Sequence, residues 1–123
     1  MTDASGVGGG APVSSPGLAE GQVVTVFRSR RRPDAGAAYA ESLQAMLGAA
    51  RRVPGFVDFK SFTADDGEHV SIITFDSLDA HEVWRNDPRH QEVQSRGRSE
   101  WYAQYSIQVG QCVRVRQWFA DPD

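Results

Sequence analysis

Cysteine is almost missing from this chain. Cys112 stands alone in 123 residues, so no internal disulfide can form, and a reducing cytoplasm is the expected setting. No apolar run approaches the ~20 residues that a membrane-crossing helix needs. The N-terminus lacks a basic start followed by an apolar stretch and does not read as a secretory signal. Positive charge is not in excess, since 13 Lys and Arg face 16 Asp and Glu for a net charge of −3. That balance argues against nucleic acid as a partner. Metal-ligand spacing is missing as well: His69, His81 and His90 include no i, i+3 or i+4 pair, and no cysteine pair joins them. No Ser-His-Asp or Cys-His arrangement can be argued, and no paired carboxylates share a helix face.

What is present starts late. Residues 1–20 are mainly Gly, Ser, Pro and Ala, with little to bury, and read as a disordered leader. The glycine run at 6–10 is not a phosphate loop, because no strand precedes it and no amphipathic helix follows. Residues 21–120 read as one domain, large enough to fold around its own core.

The stretch Val23-Val24-Thr25-Val26-Phe27 is β-branched and aromatic, a strand pattern that runs into basic residues 28–32. Pro33-Asp34 opens a helix whose Tyr39, Leu43, Met46, Leu47 and Ala50 form one apolar stripe. Arg51 and Arg52 suit its C-terminal dipole, and Pro54-Gly55 ends it. A second strand over 56–64, a hairpin turn at Asp66-Gly67 and a third strand over 69–75 follow. Ser77 caps a short helix that runs to Asn86. The residue before a proline avoids the α region, so Asp87 stops that helix, then caps a new one that Pro88 begins. His90, Val93, Gly97 and Trp101 share one stripe of this next helix. A long strand over 105–119 closes the chain. Tyr105, Ile107, Val109, Val113, Val115 and Phe119 face one way; Ser106, Gln108, Cys112, Arg114 and Arg116 face the other.

The order is β-α-β-β-α-β with the second helix broken in two. It predicts an α+β, ferredoxin-like antiparallel sheet with helices on one face. The opposite face mixes polar and apolar residues and needs cover, which predicts a homodimer packed sheet to sheet, with Cys112 in the interface.

Three stretches carry a family resemblance: Val-Pro-Gly-Phe at 53–56, the segment from Phe75 to His90 with its capped helix, Trp84 and Pro-x-His, and 101–109 leading into the last strand. Over about 22–119 the chain resembles the antibiotic biosynthesis monooxygenase family of dimeric α/β barrels. The resemblance implies a homodimer and, for its oxygenase members, O2 chemistry on anthrones and quinols without a cofactor. Some of these oxygenases use a Trp on the corresponding helix, a role that would fall to Trp84. Haem-degrading members carry an Asn on the first strand, which this chain lacks. The Asn that some anthrone oxygenases place one turn before the Trp is Ala80 here.

Each candidate also has a plainer role. Trp84 is either an anchor of its helix to the sheet or a lid over a flat substrate. His90 sits in the first turn of its helix, where the dipole disfavours imidazolium. It is therefore expected neutral, as a base or hydrogen-bond donor, or else packed beside Trp101 and bonded to a backbone group. His81 lies one turn before Trp84 and either lines the same cavity or pairs with Asp79 or Arg85 in solvent. Asn86 bonds local backbone or touches substrate. His69 is expected to be exposed, and the basic run at 28–32 reads as a solvated strand end rather than an anion clamp.

The resulting expectation is a cofactor-independent monooxygenase acting on a flat, polyketide- or quinol-like aromatic. Trp84 and His90 are the catalytic candidates; His81, Asn86, Trp101, Tyr105, Phe27 and Phe59 are the substrate-binding ones. The rival expectation keeps the scaffold and changes the role, to a cyclase or isomerase or to a ligand-binding module without chemistry.

Overall fold

Four strands, Val23–Arg31 (β1), Phe56–Thr63 (β2), His69–Phe75 (β3) and Tyr102–Gln111 (β4), form an antiparallel sheet of order β2-β3-β1-β4. The helices are Gly36–Arg51 (α1), Leu78–Arg85 (α2) and Pro88–Arg96 (α3), and a π-turn over Gly97–Trp101 leads into β4. This is the ferredoxin-like α+β fold. The computed structural model describes residues 17–121, so residues 1–16 of the expected leader lie outside the described residues. Just before β1, the buried Gln22 side chain donates to the Gly17 carbonyl and accepts from the Ala19 amide.

Register decides which side chains meet the helices. Thr25 is paired with Ile73 on β3 and Val109 on β4, and Phe27 with Ser71 and Ile107. Directly opposed residues share a face, so these six look towards the helices. Phe75, Trp84, Ala49 and Ala50 form the packed end of that layer, with Phe75 fully buried between the rings of Phe56 and Trp84. On the other face, Val24, Val26, Val70 and Ile72 are only half-buried and Phe62 is exposed.

The turns follow local chemistry. Gly67 takes φ +89° in the β2–β3 hairpin, and Asp66 accepts from the Glu68 amide. Gly55, at φ +98°, ends the approach from α1 to β2; a Cβ there would strike the Asp76 carboxylate and Ala80. Ser77 caps α2 by accepting from Ala80, and Asp87 caps α3 by accepting from Arg89 and His90, with Pro88 in the first turn. The basic run is engaged at the sheet end: Arg28 pairs with Glu68 and Arg30 with Asp66, each at 2.8 Å, while Arg31 lies over the Tyr39 ring.

Three local expectations need correction. Pro33 and Asp34 do not open α1; they are the middle of a turn closed by the Ala35 amide on the Arg32 carbonyl, and the helix starts at Gly36 without a side-chain cap. The last strand begins earlier, at Tyr102, and stops at Gln111 rather than continuing to Phe119. β4 is an edge strand whose neighbour ends with the pair Val23–Gln111. Cys112 makes the final rungs with Gly21 and Gln22, and beyond it Val113, Trp118 and Phe119 are 86, 81 and 67% exposed. Finally, α3 does not keep its α period to Trp101, because the π-turn intervenes.

Candidate active site

A cavity of about 320 Å³ lies between the helix-facing side of the sheet and the helices. The sheet contributes Thr25, Phe27, Phe59, Ile73 and Tyr105 to its floor; α1 contributes the wall of Leu43, Met46 and Leu47. The α2–α3 corner supplies His81, Trp84, Arg85 and His90, and the π-turn brings in Trp101. The α1 stripe that reads as core in the sequence is therefore largely cavity wall. Thr25, Ser71 and Arg85 also line the cavity and were not singled out from sequence. For Thr25 a signal existed: strand alternation puts it on the same face as Phe27.

Of the expected site residues, the cavity gathers Trp84, His90, His81, Trp101, Tyr105, Phe27 and Phe59. Asn86 is left out. It is exposed at the C-cap of α2, and its backbone amide donates to the Glu82 carbonyl at 3.0 Å. His90 bonds a backbone group as expected, but its ring packs on Trp84 rather than beside Trp101. It lies flat on Trp84, with ring centroids 4.1 Å apart and planes 18° from parallel. The Asp87-Pro88 corner produces this contact, since capping at Asp87 turns the first residues of α3 back over the end of α2.

The His90 ring has a defined tautomer. Its Nδ1 is 3.2 Å from the Trp84 carbonyl, and a carbonyl can only accept, so Nδ1 carries the proton. Burial pushes the ring's pKa below its ordinary value, against the opposing pull of the Trp84 carbonyl and the Asp87 carboxylate. The ring is thus neutral near pH 7, with the lone pair on Nε2. The sequence expectation of a neutral ring holds, but desolvation is the leading cause.

His81 is buried at 5% exposure, and its Nδ1 lies 3.1 Å from the Glu82 carboxylate, which also takes Arg85 at 3.3 Å. An ionised carboxylate accepts, so Nδ1 of His81 is the donor and Nε2 holds the lone pair whenever that ring is neutral. The partner is Glu82 rather than the expected Asp79 or Arg85, and the ring is buried rather than in solvent. Tyr102 closes another side of the cavity, in a cluster with Phe27, Tyr39 and Tyr105 whose centroids lie 5.4–5.8 Å apart. Burial, followed by the neighbouring Tyr39, raises the Tyr102 hydroxyl far above the usual phenol range, so it serves only as a neutral hydrogen-bonding group.

His69 is half-buried rather than exposed, and burial lowers its pKa. It stands on β3 outside the cavity lining. Among the described residues, no group of three or more His, Cys, Asp or Glu is placed to hold a metal ion, and no helix is long and apolar enough to cross a membrane.

Comparison with known proteins gives consistent results. The profile of the family described as antibiotic biosynthesis monooxygenase matches residues 22–96. YqjZ of Bacillus subtilis (strain 168), an uncharacterized protein, is 35% identical over 78 residues, 63% of this chain and 68% of that protein. Among solved structures, Rv0793 of Mycobacterium tuberculosis superposes with a TM-score of 0.68 at 22% identity, covering 78% of this chain and 99% of the other. SnoaB of Streptomyces nogalater, described as a cofactor-independent oxygenase, superposes with a TM-score of 0.64 at 18% identity, covering 84% and 100%.

Proposed function

The chain belongs to the antibiotic biosynthesis monooxygenase family, and from that premise we propose that it oxidises a flat, electron-rich aromatic molecule with O2, without a cofactor. The observation that carries this reading is the neutral His90 imidazole stacked on Trp84 at the wall of an aromatic cavity. The cofactor-independent oxygenase SnoaB shares the fold.

The chemistry is that of an activated CH2 or phenol. Nε2 of His90 takes a proton from the substrate, and the resulting anion is electron-rich enough to reduce O2 by one electron. The substrate radical and superoxide recombine at carbon, and the proton returns to the peroxide. Loss of water then leaves a carbonyl, so that CH2 and O2 become C=O and H2O. The protein's share is to exclude water, stack the ring against Trp84 and Trp101, and offer the Tyr102 hydroxyl to the developing oxyanion. His81, held by Glu82, is the second base candidate; His81→Gln and His90→Gln variants separate the two.

The decisive assay follows an anthrone with an oxygen electrode. One O2 is consumed per quinone formed, and turnover stops under anaerobic conditions. Turnover that persists unchanged without O2 moves the protein to the isomerases or cyclases. That second reading, or a binding role without chemistry, is favoured by one observation: the His90–Trp84 contact closes a helix corner and would exist without any substrate.

The homodimer belongs to the same proposal. The half-buried Val24, Val26, Val70 and Ile72, together with exposed Phe62, give the outer sheet face an apolar stripe that a second copy would cover.

A further inference from the structure

A residue of the cavity floor carries a polar atom with nothing to bond, tucked beneath the lining surface rather than open to the hollow. The Thr25 hydroxyl oxygen is buried, has no hydrogen-bond partner, and sits on a residue that lines the cavity. Its cross-strand neighbours on that floor are Ile73 and Val109, neither of which can bond it. A buried hydroxyl without a partner destabilises the fold that carries it. Valine fits the same strand position with nearly the same shape and without that penalty.

We infer that Thr25 is the substrate-anchoring residue of this site: rotation about χ1, which exchanges its hydroxyl and methyl positions, turns the hydroxyl to the cavity, where it bonds an oxygen function on the edge of the aromatic ligand that points to the sheet. This rests on the reading of the cavity as an aromatic-binding site and adds a requirement to it. The ligand carries oxygen on two sides, one reaching the floor at Thr25 and one at the His90 and Tyr102 side. The cavity of about 320 Å³ stands at the small end of ligand pockets, which run from ~300 to ~1,000 Å³. It suits a compact ring system of two or three fused rings, oxygenated at opposite edges, better than an extended polycycle. A threonine hydroxyl both donates and accepts, so a phenol or a carbonyl would satisfy it equally.

The test compares the wild type with Thr25→Val and Thr25→Ser by titrating two probes against intrinsic tryptophan fluorescence. The probes are 1,5-dihydroxynaphthalene, oxygenated at two opposite edges, and naphthalene, which has no oxygen. Thr25→Val should weaken the diol by about tenfold, the worth of one hydrogen bond, and leave naphthalene unchanged or tighter. Thr25→Ser should retain most of the affinity for the diol. Without ligand, Thr25→Val should melt higher than the wild type by roughly 4–8 °C, because it removes the orphan hydroxyl. Equal effects on both probes, or no effect on either while both still bind, overturn the role of Thr25 and leave the aromatic site standing. A lower melting temperature for unliganded Thr25→Val also overturns it, by showing that the hydroxyl has a partner within the fold. If neither probe binds the wild type, the aromatic-site reading itself fails, and the anchor with it.

Discussion

The imidazole of His90 and the indole of Trp84 are stacked 4.1 Å apart and are also joined by a bond from Nδ1 to the Trp84 backbone carbonyl. The two contacts separate the structural from the chemical part of His90. Replacing it with Phe keeps the stack and removes only the bond, which is worth about 0.5–1.5 kcal/mol. The expected result is a protein that melts within a few degrees of the wild type but turns over an anthrone about 10²–10⁴ times more slowly. Rates close to wild type would assign the proton transfer to His81.

Trp84 carries more of the fold. It is 5% exposed and packs on Phe75, so Trp84→Ala should destabilise by about 3–5 kcal/mol in denaturant titration. Trp84→Phe should cost less than that, which makes it the better variant for activity assays.

The pH dependence of stability has a definite sign. Burial depresses the pKa of His90 and of His69 below the ordinary 6.5. Below that pH the unfolded chain binds protons that the folded one refuses, so stability is fully present above 6.5 and declines as pH falls through the folded values. Thermal melts from pH 7.5 to 5 should show this loss. His90→Phe should shrink it without abolishing it, since His69 remains. A flat profile would contradict the burial of both rings.

Asp87 holds the corner that presents His90. It accepts from the Arg89 amide at 2.8 Å and from the His90 amide at 3.4 Å. Asp87→Ala should cost about 1 kcal/mol of stability. It should also lower kcat more than it raises KM, because the proposed base is displaced while most of the cavity persists. Asp87→Asn, a comparable cap, should restore most of both.

Phe62 tests the proposed pairing of sheets. It is 45% exposed on the outer face, so Phe62→Arg should leave the monomer folded by circular dichroism. Sedimentation should give a dimer for the wild type and a monomer for the variant. Monomeric wild-type protein at micromolar concentration would refute the pairing.

Much of the architecture is legible in local chemistry, and particular residues show why the rest is not. Ser77, Asp87-Pro88 and Asp66-Gly67 act on their immediate neighbours, so the boundaries they set can be read directly. The end of β4 depends on where β1 begins, 88 positions earlier at Val23, and no window around Val113 records that. Leu43, Met46 and Leu47 share a stripe whether it meets packed side chains or a hollow, because hydrophobic periodicity reports burial from water and not packing density. The candidate site was legible as a set of aromatic and histidine residues. The partners that give them chemistry, Glu82 for His81 and the Trp84 carbonyl for His90, required the folded geometry.

The π-turn at Gly97–Trp101 gives residue count a role that residue type cannot fill. Its wider winding lets two successive aromatic residues, Trp101 and Tyr102, both border the cavity. Gly97 makes room for this, since a methyl group there would run into the Tyr102 ring. Shortening the turn by one residue would swing one of these rings off the cavity while leaving the composition almost unchanged. Over evolutionary time, a single-codon deletion there would redraw the cavity's outline more than most substitutions in the wall itself.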